Sequence, residues 1–224
     1  MQNFQSPFVI AIDGPSASGK GTIARKLAAQ FGFAHLDTGL LYRAVGVVVL
    51  QAGGDPADAV LAERAALALD VSTLNDPVLR EDKASVAASK VAAVPAVRAA
   101  LLKFQKDFCA KPPDGRTGAV LDGRDIGTVI APEAKVKIYV TASAEARAER
   151  RFNELQGRGE NVTYATVLKD MQERDIRDVE RTVAPLKPAP DAVMLDTTNM
   201  TADEAFLEAV SIVEREAGVV PATR

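Results

Sequence analysis

The sequence predicts an α/β protein in three layers, with a five-stranded parallel sheet between helices. Three observations carry this. Five short runs rich in apolar, branched or aromatic residues recur along the 224 residues, helical patterns separate them, and four of the five end in aspartate. Hydrophobic residues are 47% and charged residues 25% of the chain, ordinary globular usage that excludes a disordered, collagenous or coiled-coil protein. A length of 224 residues suits one domain, 1–224, with room for an insertion and a small appendage but not for a second independent core.

The first strand, Phe8 to Asp13, leads directly into Gly14, Pro15, Ser16, Ala17, Ser18, Gly19, Lys20, Gly21 and Thr22, and a helix runs from Lys20 to Phe31. Glycines let successive backbone N–H groups turn toward a phosphate, the helix N-terminus adds partial positive charge, and Lys20 supplies a full one. The strand before it and the helix after it make this a phosphate-binding loop rather than a glycine-rich turn. The general motif has Ser or Thr directly after the lysine, to reach magnesium. Here Gly21 intervenes and Thr22 comes second, the spacing of nucleoside monophosphate kinases, which this part of the chain resembles; direct hydroxyl ligation of a metal is left open.

The second strand is Phe33 to Asp37 and the next helix Leu40 to Ala52. Over 53–104 the alternation stops. Helices Ala57 to Leu69 and Val86 to Ala110, the latter broken or kinked at Pro95, predict a helical insertion, and Leu69 to Arg80 leaves room for a hairpin at most. Strands Ala119 to Asp122 and Val136 to Val140 follow, then helix Ala144 to Leu155, the glycine-containing loop Gln156 to Asn161, helix Tyr164 to Arg181, and strand Ala192 to Asp196. The last helix, Ala202 to Ala217, opens with a capping box at Thr201 and Glu204. In parallel sheets ligands gather at the carboxyl ends of strands, which puts Asp13, Asp37 and Asp122 where chemistry is expected; Asp196 reads as a turn cap.

Charge and composition narrow the chemistry. A net charge of −3 provides no overall field for nucleic acid or an anionic membrane. One cysteine, Cys109, and one histidine, His35, exclude an internal disulfide and a Cys/His zinc site, and both read as packed residues, as do Tyr42, Phe104 and Phe108. The start of the chain lacks the pattern of a signal peptide, and no run reaches the roughly 18 to 20 apolar residues of a membrane span, so a soluble, cytoplasmic monomer is expected. The chain has no Asp-x-x-Gly turn with an Asn-Lys-x-Asp guanine reader, and Asp122 is followed by glycine rather than a glutamate base, which weighs against GTPases and motor ATPases.

Residues 115–181 hold nine arginines against three lysines, balanced by 12 acidic residues, so the enrichment is in arginine as a type. Its planar fork grips phosphate bidentately and stays charged. Helix ion pairing is the alternative, and is the reading taken for Arg177 beside Glu173. Four blocks then make a closer resemblance: Ile12-Asp-Gly-Pro-Ser-Ala-Ser-Gly-Lys-Gly-Thr22, Leu36-Asp-Thr-Gly-Leu-Leu-Tyr-Arg43, Leu121-Asp-Gly-Arg-Asp-Ile-Gly-Thr128 and Arg174-Asp-Ile-Arg-Asp-Val-Glu-Arg-Thr-Val-Ala-Pro-Leu186. In order, and across nearly the whole chain, they resemble the bacterial cytidylate kinase family.

The resemblance implies a P-loop kinase fold in which 53–104 is the nucleoside monophosphate-binding insertion and 150–162 a short lid. It implies transfer of the γ-phosphoryl group of ATP to CMP or dCMP with magnesium. Arg43, Arg124 and Arg181 would hold the acceptor phosphate with Thr38 nearby, Arg174 and Asp178 the ribose, and Ser89, Arg98 and Asp125 the base. Asp122 would order the magnesium, most simply through water, a strand-end cap being the alternative. Cytosine shows an amino donor beside two acceptors, which one carboxylate and two donors complement. Lys20 and Arg124 would neutralise the transferring group, while Arg147, Arg151 and Arg158 close over ATP. For Arg147 and Arg150 a solvated helix face paired with Glu145, Glu149 and Glu154 explains the residues as well. A kinase for another small acceptor, and a nucleotide-dependent binding module, remain as alternatives.

Overall fold

The computed structural model describes residues 6–218; the ends of the 1–224 domain expected from the sequence, including the start read as lacking a signal peptide, lie outside the described residues. Five strands, β1 (Phe8–Asp13), β2 (Ala34–Asp37), β3 (Gly118–Gly123), β4 (Val136–Thr141) and β5 (Val193–Asp196), form one sheet in the order β2-β3-β1-β4-β5. Every pairing is parallel. All six residues of the central β1 are buried, as a strand covered on both faces requires.

Side chains alternate across β1 with period two. Phe8, Ile10 and Ile12 pack with α1 (Lys20–Phe31) and α8 (Ala202–Ala217), while Val9 and Ala11 join Leu36, Leu121 and Ile126 on the other face. The capping box of α8 forms as expected, with Thr201 Oγ1 accepting from Glu204 N and the Glu204 carboxylate from Thr201 N. These are the three layers.

Between β2 and β3 come α2 (Thr38–Gln51), α3 (Ala59–Leu67), α4 (Asp82–Val91) and α5 (Pro95–Ala110). The run expected from Val86 to Ala110 is two helices, since Pro95 cannot donate to a preceding turn and instead starts α5. These helices share their own apolar cluster with Leu41, Tyr42 and Val45 of α2. The hairpin allowed for Leu69 to Arg80 does not form. Two 3-10 turns, Val71–Asn75 and Pro77–Arg80, take its place because Asp70 and Asp76 accept hydrogen bonds from Ser72 N and Val78 N, each at 2.9 Å. After β4 come α6 (Ala144–Gly157) and α7 (Tyr164–Glu180). Among the described residues no single helix is long and apolar enough to cross a membrane.

The register aligns the strand ends. Asp37 lies beside Asp122, and Asp13 beside Gly123, so the three aspartates emerge together next to the loop that joins β1 to α1.

Candidate active site

The loop from Gly14 to Gly19 turns tightly. Gly14 has φ 153°, and a Cβ there would meet the Val140 carbonyl oxygen at 2.0 Å, so only glycine fits. Ala17 and Gly19 also have positive φ, and no side chain caps the start of α1. Lys20 Nζ donates to the Pro15 carbonyl at 3.2 Å, folded back along its own loop. Burial, and then the nearby Arg124, lower its pKa to about 7.

Beside this loop is a cavity of about 160 Å3 whose lining includes Arg43, Arg124, Arg174 and Arg181. Arg124 Nε donates to Asp178 Oδ2 at 2.8 Å; burial acts to lower the arginine's pKa, but Asp178 outweighs it and raises it. The carboxyl of Asp178 is held below the usual range because Arg124 and Arg174 outweigh its own burial. Arg174 donates to Ser85 Oγ at 2.6 Å, and burial with the neighbouring Arg124 brings its pKa down to about 10. Arg174 Nε and one Arg181 Nη are buried with no hydrogen-bond partner. Positive charge and unused buried donors converge on one space, the chemistry of an anion site. Arg43 donates to Leu79 O at 2.8 Å, which ties it to the insertion, and Thr38 Oγ1 donates to Asp122 O at 2.8 Å.

In the same cavity Ser89, Arg98 and Asp125 are all buried. Arg98 pairs with the Asp125 carboxylate, and its guanidinium lies 5.5 Å from the centre of the Tyr42 ring. Tyr42, read from sequence as packing alone, is therefore also a wall of this pocket. Arg177 keeps its expected contact with Glu173 at 4.0 Å, but its Nε also donates to Ser89 Oγ at 3.2 Å.

The carboxylates face the loop. Asp122 Oδ1 is 2.9 Å from His35 Nε2, a contact the sequence reading missed because 87 residues separate the two. A Cβ on Gly21 would lie 3.5 Å from Asp122 Oδ2, so the glycine brings the loop up against this carboxylate. Burial, and then the charge of Asp122, raise the pKa of Asp37. Two hard carboxylates that repel each other beside a phosphate loop, Asp122 buried and Asp37 half-buried, suit magnesium, which keeps several waters and shares its remaining positions with phosphates. No group of three or more His, Cys, Asp or Glu able to hold a metal occurs among the described residues, so such an ion needs substrate oxygens and water.

The arginines of α6 do not share one role. Arg147 is only 6% exposed, which removes the solvated-face reading for it: its guanidinium is bidentate to Asp175 at 2.7 and 3.2 Å and reaches Ser16 O at 3.4 Å. Arg150 donates to Thr197 Oγ1 at 3.1 Å and not to the glutamates beside it. Arg151 pairs with Asp82 at 2.5 Å and Glu154 at 2.8 Å, and Arg158 donates to Arg80 O and Glu154. Arg151 and Arg158 thus join the expected lid to the insertion. Cys109 is half-buried, with its thiol pushed up to about 11 by burial, as a packed, unreactive cysteine should be.

A family model described as Cytidylate kinase matches residues 10–215. A protein named Cytidylate kinase from Paramagnetospirillum magneticum is 62% identical over 92% of this chain and 97% of its own length. Another of that name, from Rhodospirillum rubrum, is 60% identical over 91% and 96%. The chain belongs to the cytidylate kinase family. Crystal structures of an uncharacterized protein from Eubacterium ventriosum and a gluconokinase from Sinorhizobium meliloti share its fold, with TM-scores of 0.52 and 0.50 at 14% identity, over 95% and 96% of this chain and 99% and 96% of theirs.

For this cytidylate kinase family member, one cavity gathers Lys20, Thr38, Arg43, Ser89, Arg98, Asp122, Arg124, Asp125, Arg174, Asp178 and Arg181. Arg147, Arg151 and Arg158 do not line it; Arg151 borders a neighbouring cavity and Arg158 a larger open cleft of about 940 Å3. On the other side of the phosphate loop, Ala17, Gly19, Thr22, Arg150, Thr197 and Met200 border a cavity of about 410 Å3. Arg150, Thr197 and Met200 come from segments with no nucleotide-binding pattern of their own.

Proposed function

We propose that this chain transfers the γ-phosphoryl group of ATP to CMP or dCMP, giving ADP and CDP or dCDP, with the acceptor in the arginine-lined cavity. The observation that carries this is the enclosure of Ser89, Arg98 and Asp125, all buried, in the cavity also lined by Arg174 and Arg181, each with a buried donor that makes no hydrogen bond. A monophosphate with a hydrogen-bonding base satisfies both ends at once. The Asp125 carboxylate accepts from the cytosine amino group, while Ser89 and Arg98 donate to the ring acceptors. Uracil turns its O4 acceptor toward that carboxylate, a mismatch that a buried polar site penalises by roughly two to five powers of ten.

The triphosphate lies along Gly14 to Thr22 with its nucleoside in the 410 Å3 cavity near Thr197. Phosphoryl transfer needs in-line placement and charge stabilisation more than covalent help. Lys20, once an anion replaces its bond to Pro15 O, neutralises the outer phosphates, and Arg124, locked to Asp178, faces the group in transit. Asp122, with Asp37 beside it, would hold magnesium through water, and the ion would supply charge neutralisation to the phosphates. Arg151 and Arg158 draw the lid and insertion together and so exclude water from the transferring group. Arg147 acts one step back, bracing the loop at Ser16 through Asp175.

Every residue assigned to the two substrates comes from this one chain, so the proposed reaction needs no second copy, and its nucleotide substrates are those of the cytoplasm. A coupled assay over CMP, dCMP, UMP, AMP and dTMP tests the reading. CMP and dCMP are expected to lead UMP by at least about 100-fold in kcat/KM. Preference for AMP, or ATP binding with no acceptor-stimulated ADP release, would overturn it.

A further inference from the structure

The turn after β3 carries Arg124 and Asp125 to the acceptor cavity, and a distant residue sets its geometry. Ile126–Ile130 is a single π-helical turn entered from Asp125 at φ −146°, ψ 26°. The first N–H groups of such a turn have no partner within it. An aspartate in the entering position ordinarily turns its own carboxylate back to accept from them. Asp125 does not: it makes no cap hydrogen bond, and its carboxylate pairs with Arg98 and lies 3.6 Å from Arg181. The open donors are taken from another strand. Asp13, at the end of β1 and 4% exposed, accepts from Ile126 N through Oδ1 and from Gly127 N through Oδ2, each at 2.8 Å. Gly127 permits this approach, since a Cβ there would stand 3.4 Å from Asp13 Oδ2 and 3.2 Å from Lys137 Cδ.

We propose that Asp13 is a positioning residue for base recognition: by capping from β1 the turn that Asp125 opens, it keeps the Asp125 carboxylate off its own turn and beside Arg98 in the acceptor cavity, where it can accept from the amino group of the acceptor base. The inference rests on the reading of Asp125 as the base reader. A carboxylate offers an oxygen to each of two adjacent N–H groups. Asparagine offers only one and sets its own NH2 against the other. With that cap weakened, Asp125, in the entering position, can turn its own carboxylate back to the exposed donor, the usual capping arrangement, and so leave the pocket. The loss therefore falls on the choice of base rather than on the phosphate loop, although Asp13 directly precedes Gly14.

The test uses the full chain with Asp13→Asn, Asp13→Ser and, as comparator, Asp125→Ala. Steady-state constants are measured for CMP and UMP, and ATP affinity by titration with a fluorescent ATP analogue. Asp13→Asn and Asp13→Ser are expected to raise the CMP KM about tenfold and shrink the CMP-over-UMP preference by a similar factor, the scale of one charged hydrogen bond, with ATP affinity within about twofold. Unchanged CMP KM and preference in a variant that binds ATP overturns the proposal. So does a parallel loss of ATP affinity, or failure of both variants to bind ATP, because either makes Asp13 a general support of the fold. If Asp125→Ala leaves the preference intact, the base reading itself falls; if Asp125→Ala abolishes it and the Asp13 variants do not, only this inference falls.

Discussion

Individual arginines in the acceptor cavity differ by what already occupies them. Arg124 is paired through Nε with Asp178, Arg43 is tied to Leu79 O, and Arg181 holds Ala184 O through Nε while one Nη is buried without a hydrogen bond. Of these three, Arg181 is the one whose fork is both anchored and open, a state it shares with Arg174, so it is sensitive to losing its shape. Arg181→Lys keeps the charge but not the bidentate geometry. The CMP KM should rise about tenfold while the ATP KM stays within about twofold, each read by varying one substrate at saturation of the other. Equal changes in both constants would mean that Arg181 supports the whole site rather than the acceptor phosphate.

Among the elements, α4 connects the two halves of the site. Asp82, Ser85 and Ser89 fall on one face of it and meet Arg151, Arg174 and Arg177 from α6 and α7. Arg151→Ala and Arg158→Ala remove lid contacts with the insertion at Asp82 and Arg80, so turnover should fall by about 100-fold with CMP affinity changed far less. Unchanged turnover in both variants refutes the lid role. The strands, α1 and α8 were legible in the sequence because each has a period or punctuation of its own, such as the glycines around Lys20 and the capping box at Thr201. The clustering of Asp37 and Asp122 was legible too, from strand ends alone. What escaped the reading depends on partners far along the chain. The 3-10 turns of Val71–Arg80 follow from aspartates that read equally well as loop residues, the burial of Arg147 from Asp175 in another helix, and the cap at Ile126 from a carboxylate 113 residues away.

At the scale of the whole molecule the site is a local burden on stability. Burial raises the pKa of Asp13 from 3.8 to about 6, beyond what the N–H groups of Ile126 and Gly127 offset, with the charge of Asp125 raising it further and that of Arg124 lowering it. A folded-state value above the unfolded one means that the native chain holds this proton more tightly. The resulting stabilisation is complete below pH 3.8 and lost as pH rises through about 6, on the order of 3 kcal/mol. Wild-type stability relative to Asp13→Asn should therefore fall by about that amount between pH 4 and 7, measured by denaturant unfolding at each pH; a constant difference would show that Asp13 does not titrate in this range. The net charge of −3, unremarkable as a total, conceals this site of buried cations and anions. One more property follows from His35 being the sole histidine of the 224 residues and lying 2.9 Å from Asp122. In a proton NMR spectrum of the native chain, the histidine ring signals come from this imidazole alone, so the molecule carries an unlabelled reporter beside the carboxylate where nucleotide and metal are expected to meet.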